Sequence, residues 1–379
     1  MKIAIDVSQV VFEGTGVANY TRDLIFNLLV KDRRNQFILF GYSLRRKKIL
    51  DSFLKSIPRE NGRIKCISLP VPPSLADLIW NRFGILSLEH LIGPVDIYHS
   101  SDWIQIPSPA KNITTVHDLV VYKYPETSSP SIIAVQKRRL ARVIKHCRLI
   151  LSDSMATKKD IIDILQVNEN RISVVYPGIS PIFKPVPEEK IKKVSKKYNI
   201  NYPYILSVGT NEPRKNITSS VDAFNIFLKN LPPRETKEKP ALIIVGKKGW
   251  KSNFSSHTPE IINLGSVDRQ DLPSLYGGAR FLVYPSLYEG FGLPVVEAMA
   301  CGCPVITSNK GSLAEVAGQA ALIVDPQKPE DLAIAMINLE TDNRLRKKLI
   351  AAGLINCRRF SWSTAVEKVL LAYNSLIKK

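Results

Sequence analysis

Short runs of β-branched and other apolar residues alternate along the chain with longer stretches in which apolar positions recur every three or four residues. This is the pattern of repeated βαβ units feeding a parallel sheet. In the first half, MKIAIDVS, QFILFGY, IKCISL, VDIYHS, NITTVHD, RLILSD and SVVYPG read as strands, with NYTRDLIFNLLV and the basic SIIAVQKRRLARVIKH as helices between them. The second half starts afresh: YILSVGT, ALIIVG, IINLGS, RFLVYPS, PVITS and AALIVD read as strands, and SSVDAFNIFLKNL as a helix. The restart follows a Pro- and Lys-rich stretch, PGISPIFKPVPEEKIKKVSKKYNINYP, which places a linker near residues 178–200. The expected architecture is two Rossmann-like α/β domains with doubly wound parallel sheets, at 1–177 and 178–358. The amphipathic FSWSTAVEKVLLAYNSL, within 359–379, is expected to pack back on the first domain.

Composition narrows the partners. The chain has 379 residues, 45% of them hydrophobic, enough for two cores and too apolar for general disorder. A formal charge of +19 points to an anionic partner: nucleic acid, a phosphorylated small molecule or an acidic membrane surface. The basic runs carry almost no aromatics, which argues against nucleic acid. Five scattered cysteines (Cys66, Cys147, Cys301, Cys303, Cys357) lack the paired spacing of a zinc site and read as reduced, mostly buried thiols. The N-terminus is an alternating strand without a signal peptide's long apolar region, and no run is long enough to span a bilayer. The expected location is cytoplasmic, with any membrane contact peripheral, at the inner face.

In open α/β sheets ligands bind beyond the carboxyl ends of the strands, so the residues following each strand hold the candidate chemistry. Two such domains imply a ligand in a cleft between them. Gly14-Thr15-Gly16 opens the first long helix, where glycine lets backbone amides approach an anion. Asn19 stands where a dinucleotide fingerprint has its third glycine, so the loop equally suits a plain tight turn. His117 follows NITTV, and His99 in IYHSSDW is a second strand-end histidine; either can donate to a sugar hydroxyl or to developing charge. In NEPRKN, Arg214 and Lys215 sit between a strand and a helix, a setting for a pyrophosphate or for a solvated basic turn.

The stretch YEGFGLPVVEAMACG is the most informative. Gly290 and Gly292 permit a tight turn, Pro294 suits the first turn of a helix, and amides around Phe291, Gly292 and Leu293 can face a phosphate. Glu289 before the turn and Glu297 within the helix are placed to accept hydrogen bonds from hydroxyl pairs of a sugar and a ribose.

Together GTGVANYTRDL, TTVHDL, LILSDSMATKKDI, VVYPG, LSVGTNEPRKN, LIIVG, LYEGFGLPVVEAMACGCPVITS and FSWSTA resemble the retaining glycosyltransferases of family 4, which have the GT-B fold. The resemblance spans nearly the whole chain, and the spacing of Glu289 and Glu297 followed by AMACGCPVI is its most specific part. It implies a hexosyltransferase that binds a nucleotide sugar in the second domain and most of a glycan or lipid-linked acceptor in the first. Arg214 and Lys215 would hold the donor diphosphate, Glu297 the ribose, and Glu289 the transferred sugar, with main-chain contacts from Phe291, Gly292 and Leu293. Gly16 would belong to the loop that closes over the diphosphate, and His117 would lie near the sugar's C6 hydroxyl.

His117, Arg214, Lys215 and Glu289 are thus the candidate catalytic set, with no metal and no cofactor beyond the donor substrate. No Asp-x-Asp motif sits at a plausible strand end. VHDL and the NYTRDL helix favour GDP-mannose as donor, with a UDP-hexose such as UDP-glucose as the alternative and a GT-B nucleotide-sugar epimerase behind both. Thr15 departs from the resemblance, at a position that is often glycine. The basic clusters Arg45-Arg46-Lys47-Lys48 and Lys137-Arg138-Arg139, with Arg142 and Lys145, suit an anionic membrane face or simply a solvated surface.

Overall fold

The central apolar runs of the sequence become strands buried on both faces, as parallel sheets covered by helices require, while the edge strands are only partly covered. The structure is a computed structural model that describes residues 1–58, 62–232, 239–247, 249 and 258–377. Among these residues the chain divides into two units, Met1–Gly178 with Ser361–Lys379, and Ile179–Phe360.

In unit 1, β1 (Lys2–Asp6), β2 (Gln36–Tyr42), β3 (Ile64–Leu69), β4 (Ile97–Ser100), β5 (Lys111–Val116), β6 (Cys147–Ser152) and β7 (Ile172–Val174) form one parallel sheet in the order β3-β2-β1-β4-β5-β6-β7. The chain moves outward from β1 to β3, then crosses back to lay β4 on the other side of β1. The order therefore reverses between β1 and β4.

One core beneath this sheet is closed by the last helix, Trp362–Ile377. Its Trp362, Val366, Val369, Tyr373 and Leu376 are buried with Ile3, Ile5, Leu28 and Phe37. Lys31 reaches Ser363 Oγ at 2.8 Å and pairs with Glu367. Gly178 and Trp362 meet so closely that a Cβ at 178 would stand 2.3 Å from the Trp362 backbone nitrogen.

In unit 2, β8 (Tyr204–Val208), β9 (Ala241–Val245), β10 (Ile261–Gly265), β11 (Leu282–Tyr284), β12 (Val305–Ser308) and β13 (Leu322–Val324) form a second parallel sheet in the order β10-β9-β8-β11-β12-β13. Here the reversal falls between β8 and β11. Its core joins Phe224 and Phe227 of the helix Ile217–Asn230 to Ile205, Leu242, Val283 and Ile306 of the sheet.

Two expectations need correction. The Lys-rich stretch read as a linker folds as the helix Glu188–Lys197 of unit 2, buries Val194, and has Glu188 and Glu189 in its first turn and Lys196 and Lys197 in its last, as the helix dipole favours. Arg139, read as part of a surface patch, is 0% exposed. Its helix, Pro130–His146, turns Arg139, Leu140 and Val143 inward together, and the guanidinium is satisfied by Ser101 O, Thr114 Oγ1, Thr115 O and Asp102. No helix among the described residues is long and apolar enough to cross a membrane.

Candidate active site

The reversal of strand order in unit 2 brings the loop after β8 against the loop after β11, the place where doubly wound sheets bind ligands. After β8 the chain makes a short turn, Pro213–Lys215, ended by Asn216 in the left-handed conformation (φ 54°), and the helix Ile217–Asn230 follows. The Asn216 side-chain amide donates to Pro285 O (3.2 Å) and Pro326 O (2.7 Å), while Leu287 N donates to Arg214 O (2.8 Å). The cationic turn is thereby tied to the end of β11.

Arg214 and Lys215 converge on Glu289. Lys215 Nζ lies 2.6 Å from Glu289 Oε1 and 2.6 Å from the Tyr284 hydroxyl, and Arg214 Nη1 lies 2.7 Å from Glu289 Oε2. Glu289 Oε1 also accepts from Tyr284 OH at 2.9 Å and Ser286 Oγ at 2.7 Å. Arg214 makes a second ion pair with Glu212 at 2.7 Å and donates to Tyr288 O. Burial alone would raise the Glu289 pKa, but the two cations and the Ser286 hydroxyl overcome it and hold the carboxyl at about 2. Burial pulls Lys215 below the ordinary ammonium range against the attraction of Glu289. The carboxylate expected to grip sugar hydroxyls is therefore held first by protein donors, and it orients both cations.

Beyond Glu289 the chain turns through Gly292 (φ 96°) into the helix Leu293–Ala300, whose N-terminus has Pro294 in its first turn and no side-chain cap. Any Cβ at 292 would meet Leu313 Cδ2 at 2.5 Å, so only glycine fits both the angle and the space. Ser312 fixes the turn from behind, its hydroxyl 3.0 Å from Glu289 O and 2.9 Å from Phe291 O. The Phe291 ring packs away edge-on against Phe360, at 5.1 Å. Glu297, one turn into the helix, accepts from the Tyr276 hydroxyl at 3.1 Å. Two adjacent cations, both paired with carboxylates of the site, lie beside an uncapped helix N-terminus, an arrangement whose donors can turn to an incoming diphosphate.

In unit 1 the residues after β1, β4, β5 and β6 also meet, at that sheet's own reversal. Thr15 caps the helix Gly16–Lys31, its Oγ1 accepting from Ala18 N at 3.3 Å, so Gly16 begins the helix. Tyr20 of the same helix stands edge-on to the His117 ring at 4.7 Å. His117 Nδ1 is 2.6 Å from Asp153 Oδ2. Burial would lower the His117 pKa, but Asp153 dominates and raises it to about 9, leaving an imidazolium at neutral pH. A cavity of about 30 Å³ adjoins it, lined by Asp6, Gln9, Tyr20, Asp102 and Thr115 among others.

His99, the second strand-end candidate, is instead a core residue. It lies 2.8 Å from the Tyr373 hydroxyl and 3.1 Å from Thr115 Oγ1, and burial depresses its pKa to about 3. Asp153, Tyr284, Ser286 and Glu212 are site residues that the sequence reading missed. Their signal was position: Asp153 ends RLILSD, and Tyr284 and Ser286 end RFLVYPS, but only the strand order shows whom they face. Among the described residues no group of three or more His, Cys, Asp or Glu is arranged to hold a metal ion.

Known proteins resemble the chain over its whole length. The chain is 29% identical to O-antigen chain mannosyltransferase B of Escherichia coli, over 99% of this chain and 100% of that one. Among solved structures it superposes on the sucrose-phosphate synthase of Thermosynechococcus elongatus (TM-score 0.76, 19% identity, 100% and 99% of the two chains). It matches Anabaena HepE in complex with UDP and glucose comparably (TM-score 0.73, 17% identity, 99% and 100%). These two structures share the GT-B fold of paired Rossmann-like domains. The family model "Glycosyltransferase Family 4" matches residues 15–182 and "Glycosyl transferases group 1" matches residues 188–354, so unit 1 and unit 2 each carry one glycosyltransferase domain, and the chain belongs to the glycosyltransferases that these two models describe.

Proposed function

We propose that this glycosyltransferase is a retaining mannosyltransferase, taking mannose from GDP-mannose and adding it to a glycan or lipid-linked glycan acceptor without a metal ion. The observation that carries the reading is the Arg214–Lys215–Glu289 cluster beside the uncapped helix N-terminus at Leu293. Likeness over the full chain to an O-antigen mannosyltransferase supports the sugar. The C1–O bond to the donor's β-phosphate breaks with its electron pair passing to phosphate, and Arg214, Lys215 and the helix amides stabilise that charge. The acceptor hydroxyl attacks from the same face and gives its proton to the departing phosphate oxygen. Glu289 then keeps the cations in place rather than acting as a nucleophile, in contrast to two-carboxylate glycosidases. Glu297 grips the ribose, and the backbone at Phe291, Gly292 and Leu293 contacts donor oxygens. Gly16 belongs to the loop over the diphosphate, and the His117 imidazolium donates to a hydroxyl of the transferred sugar.

The second reading is a UDP-hexose donor, favoured by HepE, whose structure holds UDP and glucose. The protein acts in the cytoplasm, peripheral to the inner membrane face. Calorimetry with GDP, UDP, ADP and their sugars, with and without EDTA, tests this. GDP-selective binding that survives EDTA and falls at least about a hundredfold in Arg214→Ala/Lys215→Ala is expected. UDP selectivity would replace the donor, and loss on chelation would overturn the metal-free mechanism.

A further inference from the structure

The segment Pro73–Leu86 of unit 1 is amphipathic in an unusual direction. One side is anchored in the core. Trp80 is 1% exposed and packs against Tyr42 with ring centroids 5.3 Å apart, Ala76 is fully buried, and Asn81 donates to Trp103 O at 2.9 Å while accepting from Gln105 N at 3.1 Å. The other side is apolar and faces solvent: Phe83 is 60% exposed, Ile85 58%, Leu86 45%, Leu75 42% and Leu78 38%. Five large apolar side chains exposed within twelve residues form a patch, whereas scattered single ones would call for no explanation.

The backbone holds the tip of this patch outward. A short helix, Pro73–Ala76, widens into i→i+5 bonding over Asp77–Phe83, and Gly84 then turns the chain at φ 66°. Leu86 follows at φ 60°, a left-handed conformation that costs a leucine energy and that glycine or asparagine adopts more readily. The backbone there does not call for leucine, so what the residue adds is an exposed apolar side chain.

Cations frame the patch. The segment packs beside the helix Pro130–His146, where Arg138 pairs with Asp77 and the Arg142 guanidinium lies across Gly84, so close that a Cβ there would stand 2.3 Å from Nη1. Lys145 continues the same stripe of that helix, at positions i, i+4 and i+7 from Arg138, and is exposed. Arg82 lies over the Phe83 ring at 5.8 Å. Arg82, Arg142 and Lys145 have no carboxylate partner among the described residues. Exposed apolar side chains beside cations without carboxylate partners match one environment in both respects, the anionic face of a phospholipid bilayer.

We infer that Leu75, Leu78, Phe83, Ile85 and Leu86 insert into an anionic membrane leaflet while Arg82, Arg142 and Lys145 contact lipid headgroups. This deepens the peripheral membrane contact named above by assigning it a surface, and it does not depend on which nucleotide is the donor. Flotation of the purified chain with vesicles of phosphatidylcholine, with and without phosphatidylglycerol, tests it. Binding to the anionic vesicles only is expected, with Phe83→Ser/Ile85→Ser lowering it at least about tenfold at unchanged Tm and unchanged nucleotide binding. Arg82→Glu/Lys145→Glu is expected to lower it by a similar factor, and by less at high salt. A Phe83→Trp variant is expected to show fluorescence quenching by brominated lipids beyond that of the wild type.

Failure of the wild type to float with anionic vesicles would overturn the inference. So would binding that ignores Phe83→Ser/Ile85→Ser, or a dimer in solution that this variant dissolves. Retained nucleotide binding in a chain that does not float would sink this surface while leaving the transferase reading intact.

Discussion

His117 and Asp153 show how burial and pairing compete at a single residue. The 2.6 Å contact lets Asp153 hold the imidazolium against the cost of burying it, and Asp153 Oδ1 has no other hydrogen-bond partner to share its charge. A folded pKa of about 9, above the ordinary 6.5, means that the pair's contribution to stability is complete below about pH 6.5 and is lost as pH rises through 9. Asp153→Asn removes the largest raising charge and leaves the burial that lowers the pKa opposed only by the weaker pull of Asp102. The His117 pKa is expected to fall below 6.5 by ring NMR, and activity at pH 8 to fall roughly thirtyfold or more, the change in protonated fraction between those two pKa values. An unchanged alkaline limb in the pH profile would show that the imidazolium has no part in transfer. His99 and His117 both read as strand-end histidines, so the sequence could not separate them. What separates them is a carboxylate just after β6 at His117 and a tyrosine from the last helix at His99, contacts that arise only when the sheet is ordered.

At the scale of elements, local pattern succeeded wherever burial was uniform. The strands were legible because parallel strands covered on both faces read as unbroken β-branched runs, and the helix at Leu293–Ala300 announced itself through Gly292 and Pro294. Pattern failed where charge masked periodicity. The helix Glu188–Lys197 buries Val194 beneath a lysine-rich surface, and Arg139 hides within a basic run although it shares a helix face with Val143. The turn into Leu293–Ala300 depends on Gly292 in both angle and space. Gly292→Ala is therefore expected to cost about 1–3 kcal/mol in chemical denaturation. It should also weaken nucleotide binding about tenfold or more in calorimetry, because the amides at the helix start would turn away. A stable variant that still binds normally would mean that the helix N-terminus does not touch the donor.

Across the whole molecule, chain order and domain order differ, since unit 1 begins at Met1, is interrupted by unit 2 and is completed by the helix Trp362–Ile377. That helix supplies Trp362, Val366, Val369 and Tyr373 to the core beneath the first sheet, and Tyr373 also bonds the His99 ring. Unit 1 therefore cannot complete this one of its cores until the last residues of the chain are available, whereas unit 2 is one continuous segment. Trp362→Ala removes a side chain 5% exposed from that core and is expected to destabilise unit 1 by about 3–5 kcal/mol. Scanning calorimetry should show the unit 1 transition shifted down, with the unit 2 transition near its original temperature, because the cluster around Phe224, Phe227 and Met336 contains no residue of that helix. Nucleotide binding, resting on Arg214, Lys215 and the Leu293 helix start within unit 2, should then persist at temperatures where unit 1 has melted. A single transition that shifts as one would show instead that the two units fold as one cooperative body and that the closing helix stabilises both.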